Sequence, residues 1–227
     1  MYAIWNLTKV CPWDCSFCCM SAIKVGQVNG GESLNFSEKI KVLEILATHK
    51  MKIDFSGGDP LLLPDRRILS FVRAFARLPH IDAVRIGTRV PVTLPMRVTP
   101  VLARALGAFK KVWVNTQFNH AREITPEAAA ACARLVEAGI PVSNQSVLLK
   151  GVNDSVGALF DLCTGLQRIR VRPYYVFLCD PVAGTAHFRV PLRRARRLER
   201  ELAVRVGGLA LPRFVMDIPG LPRKTPI

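Results

Sequence analysis

Residues 111–150, KVWVNTQFNHAREITPEAAAACARLVEAGIPVSNQSVLLK, hold one complete strand–helix–strand unit. The apolar, β-branched run at 111–116 predicts a strand, and the amphipathic stretch at 125–138 predicts a helix. A second β-rich run at 140–148 follows at once. Thr125-Pro126-Glu127 marks the helix start: threonine can accept from the first free N–H groups, and proline has no N–H to lose there. Two strands joined through a helix read as a parallel pair with a crossover.

The alternation continues in both directions. Strands are expected at 3–8, 52–56 and 83–87 before the unit, and at 171–178 and 214–218 after it. Helices are expected at 37–49, 64–78, 99–109, 154–169 and 191–206. Strands that recur about every 30 residues describe a βαβ series with a parallel sheet. A full eight-unit barrel takes about 250 residues. With 227 residues and a long first connection, the chain predicts an α/β fold of the partial (βα)6 TIM-barrel type. Chemistry in such a fold collects at the carboxyl ends of the strands, where Gly57-Gly58-Asp59, Arg89, Asn115, Gln117, Asn144, Gln145, Asp180 and Asp217 all fall.

Composition bounds the reading. Half the residues are hydrophobic, with 15 Gly and 16 Pro, which suits a single domain over 1–227 whose residues 213–227 form a strand and loop closing the top. A formal charge of +15 favours anionic ligands without naming one. No stretch approaches the roughly 18 apolar residues of a membrane span, and no basic segment precedes an apolar run at the N-terminus. A cytoplasmic protein with no membrane partner is expected.

Seven cysteines, four of them within residues 11–19, do not suit a disulfide framework. Cys132, Cys163 and Cys179 read as small core residues. Cys11, Cys15 and Cys18 have the spacing C-x3-C-x2-C. Three thiolates on one loop can hold three corners of a [4Fe–4S] cube and leave one iron open. Zinc is the competing metal, but a structural zinc wants a fourth ligand, and Cys19 adjoins Cys18 too closely to supply it.

This loop, with Phe17 before the third cysteine, resembles that of the radical S-adenosylmethionine enzymes. FSGGDPLLL (55–63) resembles their glycine-rich strand end. VRIGTRVPVTLPMRVT (84–99), GIPVSNQSVLLKGVND (139–154), VRPYYVFLCDPVAGTAHFR (171–189) and MDIPGLPRKTP (216–226) narrow the resemblance to the lysine 2,3-aminomutase family. The resemblance implies a cluster on Cys11, Cys15 and Cys18. It implies cofactor contacts at Phe17, Gly57, Gly58 and Asp59, at Arg89 as a phosphate or carboxylate ligand and at Gln145 toward either S-adenosylmethionine or the pyridoxal, with pyridoxal 5′-phosphate on Lys224 as catalytic lysine. Asp180 and Asp217 would bind the distal ammonium of the substrate. The implied reaction moves the 2-amino group of L-lysine, or a close analogue, to C3 through a pyridoxal phosphate aldimine, started by a 5′-deoxyadenosyl radical. Its implied partners are a small amino acid and an electron donor such as flavodoxin or ferredoxin, and a homo-oligomer is compatible with it.

Asn144 is expected to face a cofactor beside Gln145, and Arg97 is a further candidate for phosphate or carboxylate. Met20 stands where the family carries a substrate-binding arginine. This departure keeps open an alternative enzyme that uses the cluster and adenosylmethionine without pyridoxal phosphate, on another small molecule or a peptide. A third reading, nucleic-acid binding by Arg193, Arg194, Arg196, Arg197, Arg200 and Arg205, gives way to a solvated helix face, because Glu199 and Glu201 interrupt the run and no aromatic platform accompanies it.

Overall fold

The computed structural model describes the backbone of Tyr2–Thr8, Val10–Cys11, Ile23–Lys24 and Lys52–Gly57, and residues 59–227 apart from 80, 183 and 219–223. The expected helix at 37–49, together with Cys15, Phe17, Cys18, Met20 and Gly58, lies outside the described residues. In chain order the elements are β1 (Tyr2–Thr8), β2 (Val10–Cys11), β3 (Ile23–Lys24), β4 (Lys52–Gly57), α1 (Asp65–Ala76), β5 (Val84–Gly87), α2 (Val90–Thr93) and α3 (Pro100–Gly107). There follow β6 (Val112–Thr116), α4 (Pro126–Glu137), β7 (Val142–Leu148), α5 (Val156–Arg168), β8 (Arg172–Leu178), α6 (Leu192–Ala203), β9 (Arg213–Met216) and β10 (Thr225–Pro226).

Strands β5 to β9 run parallel and in sequence order, and β10 turns back antiparallel on β9. Beyond β5 lies the parallel pair β4 and β1. This is the open, partial-barrel order expected of the βα repeat. The alternation of side chains sorts each strand into two faces. Val84, Ile86, Val112, Val114 and Val142 pack into one core with Phe71, Leu102 and Leu135 from the helices. Leu148, Val176 and Phe214 pack into a second core with Leu159, Leu198 and Leu202. The alternate residues Arg85, Trp113, Gln145, Tyr175, Phe177 and Arg213 therefore share the opposite, concave face.

The helix starts are built as their sequences dictate. Thr99 accepts from Leu102 N at 3.1 Å and Thr125 from Ala128 N at 3.2 Å, each followed by proline. Ser155 caps α5 in the same way, accepting from Ala158 N at 3.2 Å. Cys132 and Cys163 are buried in the two cores, and burial pushes each thiol up to about 12, as inert core residues require.

Three helix-to-strand turns end on a left-handed residue: Lys110 at φ 59°, Gly139 at φ 78° and Arg170 at φ 61°. Only the second is glycine. The left-handed region costs an L-residue roughly 1–2 kcal/mol, partly offset because glycine loses more freedom on folding. Arg170→Gly should stabilise the protein by about 0.5–1 kcal/mol, raising its melting temperature by about 1–3 °C in calorimetry. A lowered melting temperature would contradict the strain at that turn.

Candidate functional site

The register of the last strands assembles one end of the site. Thr225 pairs with Met216 and Pro226 with Val215, so the next step of the same antiparallel ladder sets Lys224 across from Asp217. Lys224 Nζ lies 2.5 Å from Asp217 Oδ2, with both side chains a little under half exposed. On the other side of β9, Phe177 pairs with Val215, so Asp180, three residues on, reaches the same level. The Lys224 ammonium stands 5.0 Å from the Phe177 ring centroid, within cation–π range. Asp180 is held above the usual carboxylate range, first by partial burial and then by repulsion from Asp217, while Lys224 pulls it down. Asp180, Asp217 and Lys224 thus form one electrostatic unit on an aromatic floor.

Below Phe177, strand β8 carries a bulge: Pro173 pairs with Asn144, but Tyr175 pairs with Gln145, leaving Tyr174 as the extra residue. The bulge lets two adjacent tyrosines lie together. Their rings are 3.9 Å apart, and the Tyr174 hydroxyl donates to the Tyr175 hydroxyl at 3.0 Å. Tyr175 meets Phe177 edge-on at 5.6 Å, so an aromatic wall runs along the concave face beside Gln145. Phe177 and the tyrosine pair were not among the sequence-based candidates, although the run Pro173-Tyr174-Tyr175-Val176-Phe177 carried the signal.

Asn144 faces the other way. Its amide accepts from Phe118 N at 2.6 Å and donates to Phe118 O at 3.1 Å and to Ser146 Oγ at 2.8 Å. It is buried on the helix side of β7 and ties that strand to the loop after β6, with both of its amide hydrogens spent there rather than on the concave face. Asn153 extends the same junction, donating to Asn119 O at 2.7 Å and to Val147 O at 2.8 Å.

A second polar centre lies where β4 and β5 end. Gly57 closes β4 beside Thr8 of β1. Asp59 is buried and accepts from Thr88 Oγ1 at 2.6 Å, Arg89 N at 2.6 Å and Leu61 N at 3.0 Å. Burial pushes its carboxyl up, and the three donors offset part of that shift. Arg89 Nη2 donates to Glu123 Oε1 at 2.8 Å, and Glu123 Oε2 also accepts from Asn119 N at 2.5 Å. The Arg89 Nε is buried with no hydrogen-bond partner among the described residues. Arg97 has its guanidinium engaged, pairing with Asp65 at 2.6 Å and donating to Leu63 O at 2.7 Å. It fixes the loop after Asp59.

Of the cluster cysteines only the backbone of Cys11 is described, on β2, in register with Lys24 of β3. His120 caps the short helix at Ala121–Glu123, accepting from Arg122 N at 3.1 Å, and His187 stacks on Phe188 at 4.0 Å. On α6, Ala195, Leu198 and Leu202 face the core while Arg193, Arg196, Arg197 and Arg200 are exposed. Arg194 pairs with Asp154 at 3.1 Å and Arg197 with Glu201 at 3.6 Å. Among the described residues, no helix is long and apolar enough to cross a membrane.

Comparison with known proteins meets this geometry. The Radical SAM superfamily model matches residues 5–163. The L-lysine 2,3-aminomutases of Fusobacterium nucleatum and Clostridium subterminale are 38% and 39% identical over 97% of this chain, and it covers 52% and 53% of theirs. The glutamate 2,3-aminomutase of Clostridioides difficile is 34% identical over 99% of this chain and 53% of its own length. The chain therefore spans about half the length of these curated relatives. Streptococcus suis SuiB, solved bound to S-adenosylmethionine, aligns with a TM-score of 0.68 at 14% identity over 96% of this chain and 50% of that one, a likeness of fold.

Proposed function

The chain belongs to the radical S-adenosylmethionine superfamily, and from that premise we propose that it is an aminomutase moving the 2-amino group of L-lysine, or a close analogue, to C3. One observation carries the substrate: Asp217 pairs with an ammonium, and Asp180 lies within electrostatic reach of both. Two carboxylates sharing a site repel unless a cation lies between them, so the pair selects a side chain ending in an ammonium. A glutamate side chain would add a third negative charge there. This argues against the substrate class named for the Clostridioides difficile relative.

The residues suit the cofactors of this reading. The C-x3-C-x2-C loop is a donor set for three irons of a cluster. The free Arg89 Nε is a donor for an anionic group, and Gln145 shares the concave face with the aromatic wall. Lys224 offers the amine that a carbonyl cofactor requires, over the Phe177 ring. When bound, the cluster with adenosylmethionine supplies a hydrogen-abstracting radical, and pyridoxal phosphate supplies a π-system for the migrating nitrogen. The chain's own residues do the rest. Asp180 and Asp217 fix the far end of the substrate, Lys224 holds and releases the carbonyl cofactor, and Asp59 with Glu123 locks Arg89 at the strand ends. We take residues 1–227 as one unit whose segment 213–227 closes the top, and the basic surface suits an acidic reductant such as flavodoxin or ferredoxin.

The test is anaerobic reconstitution followed by incubation with adenosylmethionine, pyridoxal phosphate, reductant and L-lysine. Deoxyadenosine with β-lysine is expected. Deoxyadenosine alone would instead support the reading without pyridoxal phosphate, which Met20 favours; neither product would overturn both.

The raised Asp180 carboxyl gives a pH prediction. A cation binds the ionised carboxylate, so binding must expel the proton wherever Asp180 still carries one. Affinity for 1,5-diaminopentane should rise as pH climbs through that raised range, with proton release in calorimetry, and Asp180→Asn should flatten the profile. A flat wild-type profile would remove Asp180 from the cation site.

A further inference from the structure

The ammonium paired with Asp217 belongs to the protein itself. We infer that Lys224 and the distal ammonium of the substrate are alternative occupants of one cation seat, so that each displaces the other. The inference rests on the reading of the carboxylate pair given above and adds what fills the seat otherwise.

Two groups that favour a cation lie against Lys224 Nζ, and a third, Asp180, is within electrostatic reach. Asp217 Oδ2 lies at 2.5 Å, the Phe177 ring at 5.0 Å, and Asp180 responds to the charges of both Asp217 and Lys224. The placement follows from the strand register, because a ladder that pairs Thr225 with Met216 delivers residue 224 to residue 217. A second ammonium binds more weakly while the first remains, since two like charges beside one carboxylate repel and must share its acceptor oxygens.

The exchange has consequences in both directions. An ammonium held in the ion pair with Asp217 has no lone pair for a carbonyl. A substrate cation that takes the seat releases Lys224. Conversely, drawing Lys224 into a bond elsewhere empties the seat for the substrate. By linkage the two effects are equal in free energy. The pair is exposed, so each should amount to roughly a two- to fivefold change.

Arylation by trinitrobenzenesulfonate reads the amine without any cofactor: Nζ attacks the ring carbon, sulfite leaves, and the proton goes to solvent. The rate at Lys224 would be followed by peptide mass spectrometry, with exposed Lys150 as internal reference. In the wild type, pentylguanidine, a cation the reagent does not consume, should accelerate Lys224 relative to Lys150 about two- to fivefold, and pentanol should not. Asp217→Asn should start fast and ignore pentylguanidine. Asp180→Asn, on a different strand end, should weaken the response. These rates overturn the exchange if pentylguanidine leaves wild-type Lys224 unchanged, or if Asp217→Asn still responds fully. Circular dichroism verifies that the variants fold. The aminomutase reading fails separately: cation-sensitive labelling in a protein that forms no β-amino acid leaves the exchange standing, and turnover without cation-sensitive labelling overturns the exchange alone.

Discussion

Lys224→Ala is expected to lose amino migration by about three orders of magnitude or more while still cleaving adenosylmethionine. The two halves of the reaction draw on different residues. On the proposed reading, radical generation would draw on the cysteine loop and the strand ends around Asp59 and Arg89, whereas nitrogen transfer would need an amine that can hold a carbonyl cofactor. Lys224 is set across from Asp217 by the β9–β10 ladder and has Phe177 beneath it. Lys224→Arg refines the test. It keeps a cation beside Asp217 but has no amine to condense, so its turnover should fall as far as that of the alanine variant. Stability should barely change, because an exposed ion pair contributes about 0–1 kcal/mol. The measurement is paired quantitation of deoxyadenosine and β-amino acid, with pyridoxal absorbance as an independent check. Wild-type amino migration in Lys224→Ala would end the aminomutase reading.

The parallel repeat was legible because its signals are local. A β-branched run followed by a capped amphipathic helix announces itself, and each run from 83 onward is an element with ends within a few residues of expectation. Register is not local. Nothing in Asp217-Ile218-Pro219 says that β10 folds back so that Lys224 meets Asp217; that follows from a two-residue ladder between distant partners. The family resemblance brought both residues to notice for separate roles, yet their direct contact emerges only in three dimensions. Asn144 shows the converse. Its neighbour Gln145 shares its polarity, but alternation sends the two to opposite faces, and the Asn144 amide is spent on the Phe118 backbone. The bulge at Tyr174 was hidden for the same reason, since one extra residue reads as an unbroken strand. Arg89 and Arg97 look alike as candidate anion ligands. The carboxylates that engage them, Glu123 and Asp65, lie 34 and 32 residues away in sequence.

Asp59→Ala is expected to destabilise the protein by about 3–5 kcal/mol, the largest stability effect anticipated for a single side chain here. One buried carboxylate satisfies three donors from two chain segments: Leu61 N, Thr88 Oγ1 and Arg89 N. Removing it strands two backbone N–H groups in a place water does not easily reach, and it unties the end of β4 from the start of α2. Asp59→Asn should cost less, about 1–3 kcal/mol, because one oxygen can still accept from Leu61 and Thr88 while its NH2 opposes the Arg89 N–H. The pH dependence separates charge from hydrogen bonding. Burial raises the Asp59 carboxyl above its unfolded value, so folding favours the protonated form. That contribution is fully present below the ordinary carboxylate range and is lost as pH rises through the raised value. Denaturant midpoints across this window should therefore fall more steeply for the wild type than for Asp59→Asn, which does not titrate there. The effect should reach the site through Arg89, whose backbone N–H is held by Asp59 and whose side chain is held by Glu123. Weakened S-adenosylmethionine binding in Asp59→Asn, under conditions where it remains folded, would place the carboxylate as the positioning group for that corner. Unchanged binding would confine Asp59 to holding the fold.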